Sequence, residues 1–188
     1  MKKSLIIRMT RSLLPLLALV VLASCQEEAA DPFRVAPGRV GKLLKTHRVS
    51  ELDSIYAADS LVRDSTRIRL GVNGKIEVFE KGGAHLLTLS PQTDSLRGIG
   101  NVRIRDPRFQ TPEGIGLSST FGEIEKAYEI RKVLSSLNNV LILLKGQEVY
   151  FTISREELPG SIRYNNSPVE AVQIPDAARI KYMMVDWD

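Results

Sequence analysis

After residue 48 the chain carries two rhythms of apolar residues, and each rhythm occurs twice. Leu52, Ile55 and Tyr56 fall at i, i+3 and i+4, and so do Ile124, Ala127 and Tyr128, 72 positions later. That spacing places three apolar side chains on one face of a short helix. Residues 49–56 align with residues 121–128 along their whole length. Thr120 and Glu123 have the spacing of a capping box, so Thr120 caps the second helix. Arg48 stands where the first helix would need that threonine, and there Ser50 with Asp53 caps a later start.

A period of two follows each helix. Residues 67–72 and 75–80 flank Asn73-Gly74, a pair favoured in type I′ hairpins. Gly82-Gly83 leads into residues 85–89, and residues 101–105 close the set before Asp106-Pro107. Proline stops that strand because it cannot donate to a ladder. The later half repeats the plan: residues 132–137 and 140–145 flank Asn138-Asn139, Gly146-Gln147 leads into 148–154, and 179–186 closes. The first half has the longer loop after its helix, around residues 58–65. Each half reads as one helix followed by four antiparallel strands. The expected fold class is α+β, with two tandem units, each a helix packed on a small antiparallel β-meander sheet. The first unit spans residues 39–108 and the second 109–188.

Thr111-Pro112-Glu113-Gly114-Ile115-Gly116 through Tyr128, with Asp106-Pro107-Arg108-Phe109 before it, resembles uncharacterised Bacteroidetes-type lipoproteins. In layout, residues 39–188 are similar to the BamE/SmpA-like and β-lactamase-inhibitory-protein-like superfamily, with motif-level likeness confined to residues 102–128. The resemblance implies a helix on a small antiparallel sheet, sometimes in tandem, and a binding or scaffolding role rather than an enzymatic one. It carries no partner-binding residue onto a position of this chain.

The N-terminus has a different character. Lys2, Lys3, Arg8 and Arg11 precede an apolar run from Leu13 to Ala23, interrupted by Pro15, and Leu22-Ala23-Ser24-Cys25 follows. A basic segment, a short apolar segment and small residues at a cleavage point are the order of a secretory signal. The run is too short to span a bilayer, which needs roughly 20 residues. Leu22-Ala23-Ser24-Cys25 resembles the lipobox of bacterial lipoproteins. That resemblance implies diacylglycerol on the Cys25 thiol and cleavage before it, so residues 1–25 are the signal and Cys25 is the lipidation site. Several acyl chains at roughly 0.8 kcal/mol per buried methylene make a firm anchor. Residues 26–38, with Glu27, Glu28, Asp31, Pro32 and Pro37, read as a flexible tether. Gln26 after the cysteine favours the outer membrane by analogy with enterobacterial sorting, and Gln26-Glu27-Glu28 looks like an acidic surface-export signal.

Charge changes the picture once the signal is set apart. The chain has 26 Lys and Arg against 22 Asp and Glu, and four of the basic residues lie before Cys25, which leaves 22 against 22. A nucleic-acid-binding domain keeps a positive excess, so no nucleic-acid partner is expected. Cys25 is the only cysteine, which excludes a disulfide within the chain. Gly114-Ile115-Gly116 begins like a dinucleotide fingerprint, but Ser119 stands at the third glycine and the context is antiparallel. His47 and His85 lack partners at metal-ligand spacing. Glu156-Glu157 reads as a solvated pair before Pro159-Gly160, and Asn165-Asn166-Ser167 is a sequon followed by Pro168. No cofactor and no metal are expected.

Two sheet faces attract attention. In the first half, Ile68, Leu70, Ile76, Val78, Val102 and Ile104 alternate toward the helix, so Arg67, Arg69, Lys75, Arg103 and Arg105 share the opposite side. Guanidinium groups there suit carboxylate or phosphate. In the second half the strands are apolar on both sides, and Leu141, Leu143, Tyr150, Met183 and Val185 form an extra apolar face. Such a face is normally covered, by the first unit or by a partner. The candidate interaction residues are therefore Arg67, Arg69, Arg103, Arg105, Leu141, Leu143, Tyr150 and Met183. The expected protein is an outer-membrane-anchored lipoprotein of the cell envelope, held by lipid on Cys25 and working through a protein partner. A cleft with perturbed carboxylates or a His-centred cluster would favour an envelope hydrolase instead. An enclosed apolar pocket would favour a small-ligand carrier.

Overall fold

Eight strands of the chain join into one antiparallel sheet. In a computed structural model, residues 31–64, 74–92, 97–164 and 167–188 are described. Three short strands come first, β1 (Val35–Ala36), β2 (Arg39–Val40) and β3 (Leu43–Leu44), and make a small antiparallel sheet of their own. Helix α1 (Leu52–Ile55) follows a 3-10 turn at Val49–Glu51. It leads to a first meander of β4 (Ser60–Arg63), β5 (Ile76–Phe79), β6 (His85–Pro91) and β7 (Ile99–Ile104). Helix α2 (Phe121–Ala127) leads to a second, of β8 (Ile130–Ser135), β9 (Asn139–Leu144), β10 (Val149–Ser154) and β11 (Ile180–Asp186). The short helix α3 (Gly160–Arg163) lies between β10 and β11.

The strand order is β4-β5-β6-β7-β11-β10-β9-β8. The two meanders thus meet through their last strands, with Ile104 opposite Met183 and Val102 opposite Val185. This overturns the expected pair of separate helix-on-sheet units. Among the described residues the fold is mostly β, one eight-stranded sheet and one three-stranded one, and only α2 reaches seven residues. The physical reason lies at the edges. Each meander alone would leave its last strand with a row of unpaired backbone groups, and pairing β7 with β11 satisfies both rows at once.

One row of facing residues crosses the whole sheet on its core side. Leu61, Val78, Leu87, Ile104, Met183, Phe151, Ile142 and Val133 are successive register partners, and all eight are apolar. Directly opposite residues of antiparallel strands point to the same face. Over this row lies a mixed layer in place of one helix per unit: Val40 and Leu43 of the small sheet, Leu52 of α1 and Tyr56 just after it, Phe109 and Ile115 of the loop before α2, Phe121 and Ile124 of α2, and Leu158, Val169 and Ile174 of the loops beyond β10. Backbone bonds tie this layer in place, including Val35 N–H to the Gln110 carbonyl, Phe121 N–H to Ala178 and Gly122 N–H to Asp176.

The first strand also differs from expectation. Residues 75–80 were to pair with 67–72 across an Asn73-Gly74 turn. Instead β5 pairs with Ser60–Arg63, Arg63 lies opposite Ile76, and Asp64 N–H bonds the Lys75 carbonyl. The segment read as a loop therefore holds the edge strand. Residues 65–73 lie outside the described residues. Four residues with one half-buried apolar side chain facing inward, Leu61, are too short to announce a period of two.

Candidate interaction face

The side of the sheet away from the core is built by the other parity of the same strands. Its central row runs Val62, Glu77, Thr88, Arg103, Met184, Tyr150, Leu143 and Lys132, again as successive register partners through all eight strands. A second row across the later half is Tyr182, Thr152, Leu141 and Leu134. Pairing β7 with β11 brings the arginine side of the first half and the apolar side of the second onto one surface.

The later half of this face is apolar and aromatic. Leu141, Leu143, Tyr150, Tyr182 and Met184 are half-buried, and Leu134 is exposed. Tyr150 Oη accepts a hydrogen bond from Asn101 Nδ2 at 3.2 Å. Burial raises the Tyr150 phenol above its ordinary pKa, and Asp186 adds to that. The Arg103 guanidinium lies 3.8 Å from the Tyr182 ring centroid, a stacking arrangement that suits the flat guanidinium group.

The earlier half is polar and internally bonded. Thr88 Oγ1 donates to Glu77 Oε2 at 2.6 Å, and His85 Nε2 lies 2.6 Å from the same oxygen. Arg105 Nε donates to His85 Nδ1 at 3.3 Å, so Nε2 carries the imidazole proton and donates to Glu77. The His85 ring stacks on Phe79 with centroids 4.5 Å apart. Both ring nitrogens are engaged and the threonine hydroxyl points its proton at the carboxylate. Thr88 Oγ1 also lies 3.4 Å from His85 Nε2, and the cluster joins β5, β6 and the residue after β7 across the sheet surface.

Of the residues singled out by sequence, Arg103, Arg105, Leu141, Leu143 and Tyr150 share this face. Met183 does not. It is fully buried on the core side, as is Val185, and Met184 takes the outward position. Parity at Met183-Met184 is ambiguous from composition alone, since either methionine can face either way. Tyr182, Thr152 and Leu134 were missed, although each follows from alternation once Met184 is set outward. Arg67, Arg69 and Cys25 lie outside the described residues, as do Ile68, Leu70, Asn165 and Asn166.

Two hollows lie off this face. One of about 140 Å³ is lined by Thr111, Glu113, Tyr128, Glu148 and the β1 segment. The Tyr128 hydroxyl donates to Glu113, which holds that carboxyl below its ordinary pKa. Burial, joined by Glu113, raises the phenol. Burial pushes the Glu148 carboxyl up, and donors from Lys45 Nζ, Gly38 N–H and Trp187 Nε1 at 2.8, 2.7 and 3.0 Å more than offset it, so its pKa is lowered. Both carboxylates are held ionised by protein donors, so neither is poised as a general acid. They act as clamps between the N-terminal strands, the loop before α2 and the end of the large sheet. The other hollow, about 210 Å³ beside Phe33, Tyr56 and Phe109, is ringed by Lys42, Asp59 and Glu80. It is smaller than the roughly 300–1,000 Å³ of small-molecule pockets. Among the described residues no group of His, Cys, Asp and Glu could hold a metal, and no helix is long and apolar enough to cross a membrane.

No family model, no curated protein and no solved structure matches the chain.

Proposed function

We propose that this chain is an envelope lipoprotein, anchored in the outer membrane through Cys25, that presents the second face of its sheet to a protein partner. The observation that carries the reading is the composition of that face. Tyr150, Tyr182, Met184, Leu143 and Arg103 stand together at the centre and later half of one sheet surface. Tyr, Met and Arg are the residue types enriched at the cores of protein interfaces, and Tyr and Arg dominate their energetics. The polar half, closed on itself by Glu77, Thr88, His85 and Arg105, suits the rim of such an interface. The likeness of Leu22-Ala23-Ser24-Cys25 to a lipobox supports the anchor, and the resemblance to binding and scaffolding relatives supports the non-enzymatic role.

The test places a photo-crosslinking benzoylphenylalanine at Leu141 in the full chain, expressed in its native host. The reading expects the mature protein in the membrane fraction, a discrete protein adduct on irradiation, and loss of both lipid labelling and membrane retention in Cys25→Ser. Continued lipid labelling of Cys25→Ser, or no protein adduct from Leu141, would contradict it.

A further inference from the structure

Arg103 differs from Glu77, Arg105 and Arg63, which have partners, and, unlike the exposed Lys75 and Lys132 of the same face, it is half-buried. Glu77 is bound by His85 and Thr88, Arg105 by His85, and Arg63, on the adjoining edge strand, by Asp53 at 2.9 Å. Arg103 stacks on Tyr182, yet no hydrogen-bond or ion-pair partner faces its guanidinium among the described residues, and its Nε is buried with none. It stands in the fourth place of an eight-residue row, between Thr88 and Met184. On the Met184 side the row continues with Tyr150 and Leu143.

A buried donor left unmade is costly, and a charged one more so. Stacking on Tyr182 fixes the plane of the group but gives its N–H donors no acceptor. The cost is recovered when a partner brings an acceptor of opposite charge, because the guanidinium fork matches a carboxylate in a bidentate pair. One side of the row is apolar for three strands, so a protein segment that reaches Arg103 also lies against Met184, Tyr150 and Leu143 and is best matched by apolar side chains there.

Resting on the interaction-face reading above, we propose that the partner is a protein whose contact segment sets a carboxylate of Asp or Glu on Arg103 and apolar side chains on Met184, Tyr150 and Leu143. Arg103 is then the centre of the interface and the source of its charge selectivity.

The experiment uses the full chain with benzoylphenylalanine at Leu141. In the unaltered background the adduct should map to a partner peptide containing Asp or Glu beside apolar residues. Arg103→Gln should reduce adduct yield at least about tenfold, the loss expected when one charge-assisted pair is removed, and Arg103→Glu should abolish it. Arg103→Lys should retain part of the yield. Melting of each purified variant reports folding independently, and Arg103→Gln should melt close to the unaltered chain, because loss of the Tyr182 stack is offset by removal of a buried Nε–H that has no acceptor. An adduct that forms equally in Arg103→Glu overturns the carboxylate assignment while leaving the interaction face standing. Absence of any protein adduct overturns both. A phosphatidylglycerol adduct of the Leu141 crosslinker in the full chain, lost in Arg103→Glu and formed in place of a protein adduct, assigns the guanidinium to lipid phosphate and likewise overturns the protein partner.

Discussion

At the residue scale, the informative groups are polar side chains that hold parts of the chain together far apart in sequence. Glu148 receives Lys45 Nζ and Gly38 N–H from the N-terminal sheet and Trp187 Nε1 from the segment after β11. Trp187 is only 3 % exposed, so its N–H has no recourse to water. Glu148→Ala should therefore cost about 1–3 kcal/mol in urea unfolding at neutral pH, the cost of orphaning a buried donor. The pH dependence has a definite sign. The Glu148 carboxyl is depressed below its ordinary 4.5 in the folded chain, so its contribution is complete above that value and is lost as pH falls through the folded pKa. Asp106 adds in the same direction, lowered chiefly by its hydrogen bond from Arg108. Stability should fall as the pH drops below about 4.5, and Glu148→Gln should remove part of that fall. A flat profile in the unaltered chain from pH 6 to 3 would refute the clamp. None of this was legible in the sequence. A lone glutamate after Gly146-Gln147 carries no sign that a glycine 110 positions earlier donates to it.

At the element scale, most strands were legible because period-two alternation is local. The segments expected at 85–89, 101–105, 140–145, 148–154 and 179–186 overlap β6, β7, β9, β10 and β11. What was not legible is which edges join, since alternation states the buried side of a strand and says nothing of its neighbour. The helices were overestimated for a related reason. An i, i+3, i+4 triplet fits in little more than one turn, and α1 ends at Ile55 with the chain turning through Tyr56 toward β4. Helix α2 shows how closely the covering layer is fitted. Glu123 Oε2 accepts the Thr120 N–H at 2.7 Å, as its spacing suggested. Gly122 packs so tightly on the loop before β11 that an added Cβ would lie 2.9 Å from Asp176 Cβ and 3.3 Å from its Cα. Helix propensity alone predicts that Gly122→Ala stabilises by about 1 kcal/mol. The contact reverses the sign, and calorimetry should find the variant destabilised by about 1–3 kcal/mol, as overpacking does. A rise in melting temperature would show that the helix and loop can separate without cost.

At the scale of the whole molecule, pairing β7 with β11 has two consequences. It makes one sheet of two meanders, and it sorts adjacent residues of β11 between opposite faces, Met183 into the core and Met184 outward. The second face then gathers Arg103, Met184, Tyr150 and Leu143 in one row, which neither half foreshadows when read alone. The central claim is that this row serves contact with another protein rather than the chain's own stability. A matched pair of substitutions tests it, with a crosslinker at Leu141 in both. Met183→Asp places a charge in the core at the seam and should unfold the chain, at a cost of about 4 kcal/mol or more. Leu143→Asp, one strand beyond Tyr150 on the other face, should leave the melting temperature within about 2 °C of the unaltered protein, because surface changes fall within about 0.5 kcal/mol. The same variant should lose the Leu141 adduct. A steep drop in the Leu143→Asp melting temperature, or an adduct that survives it, would contradict the account.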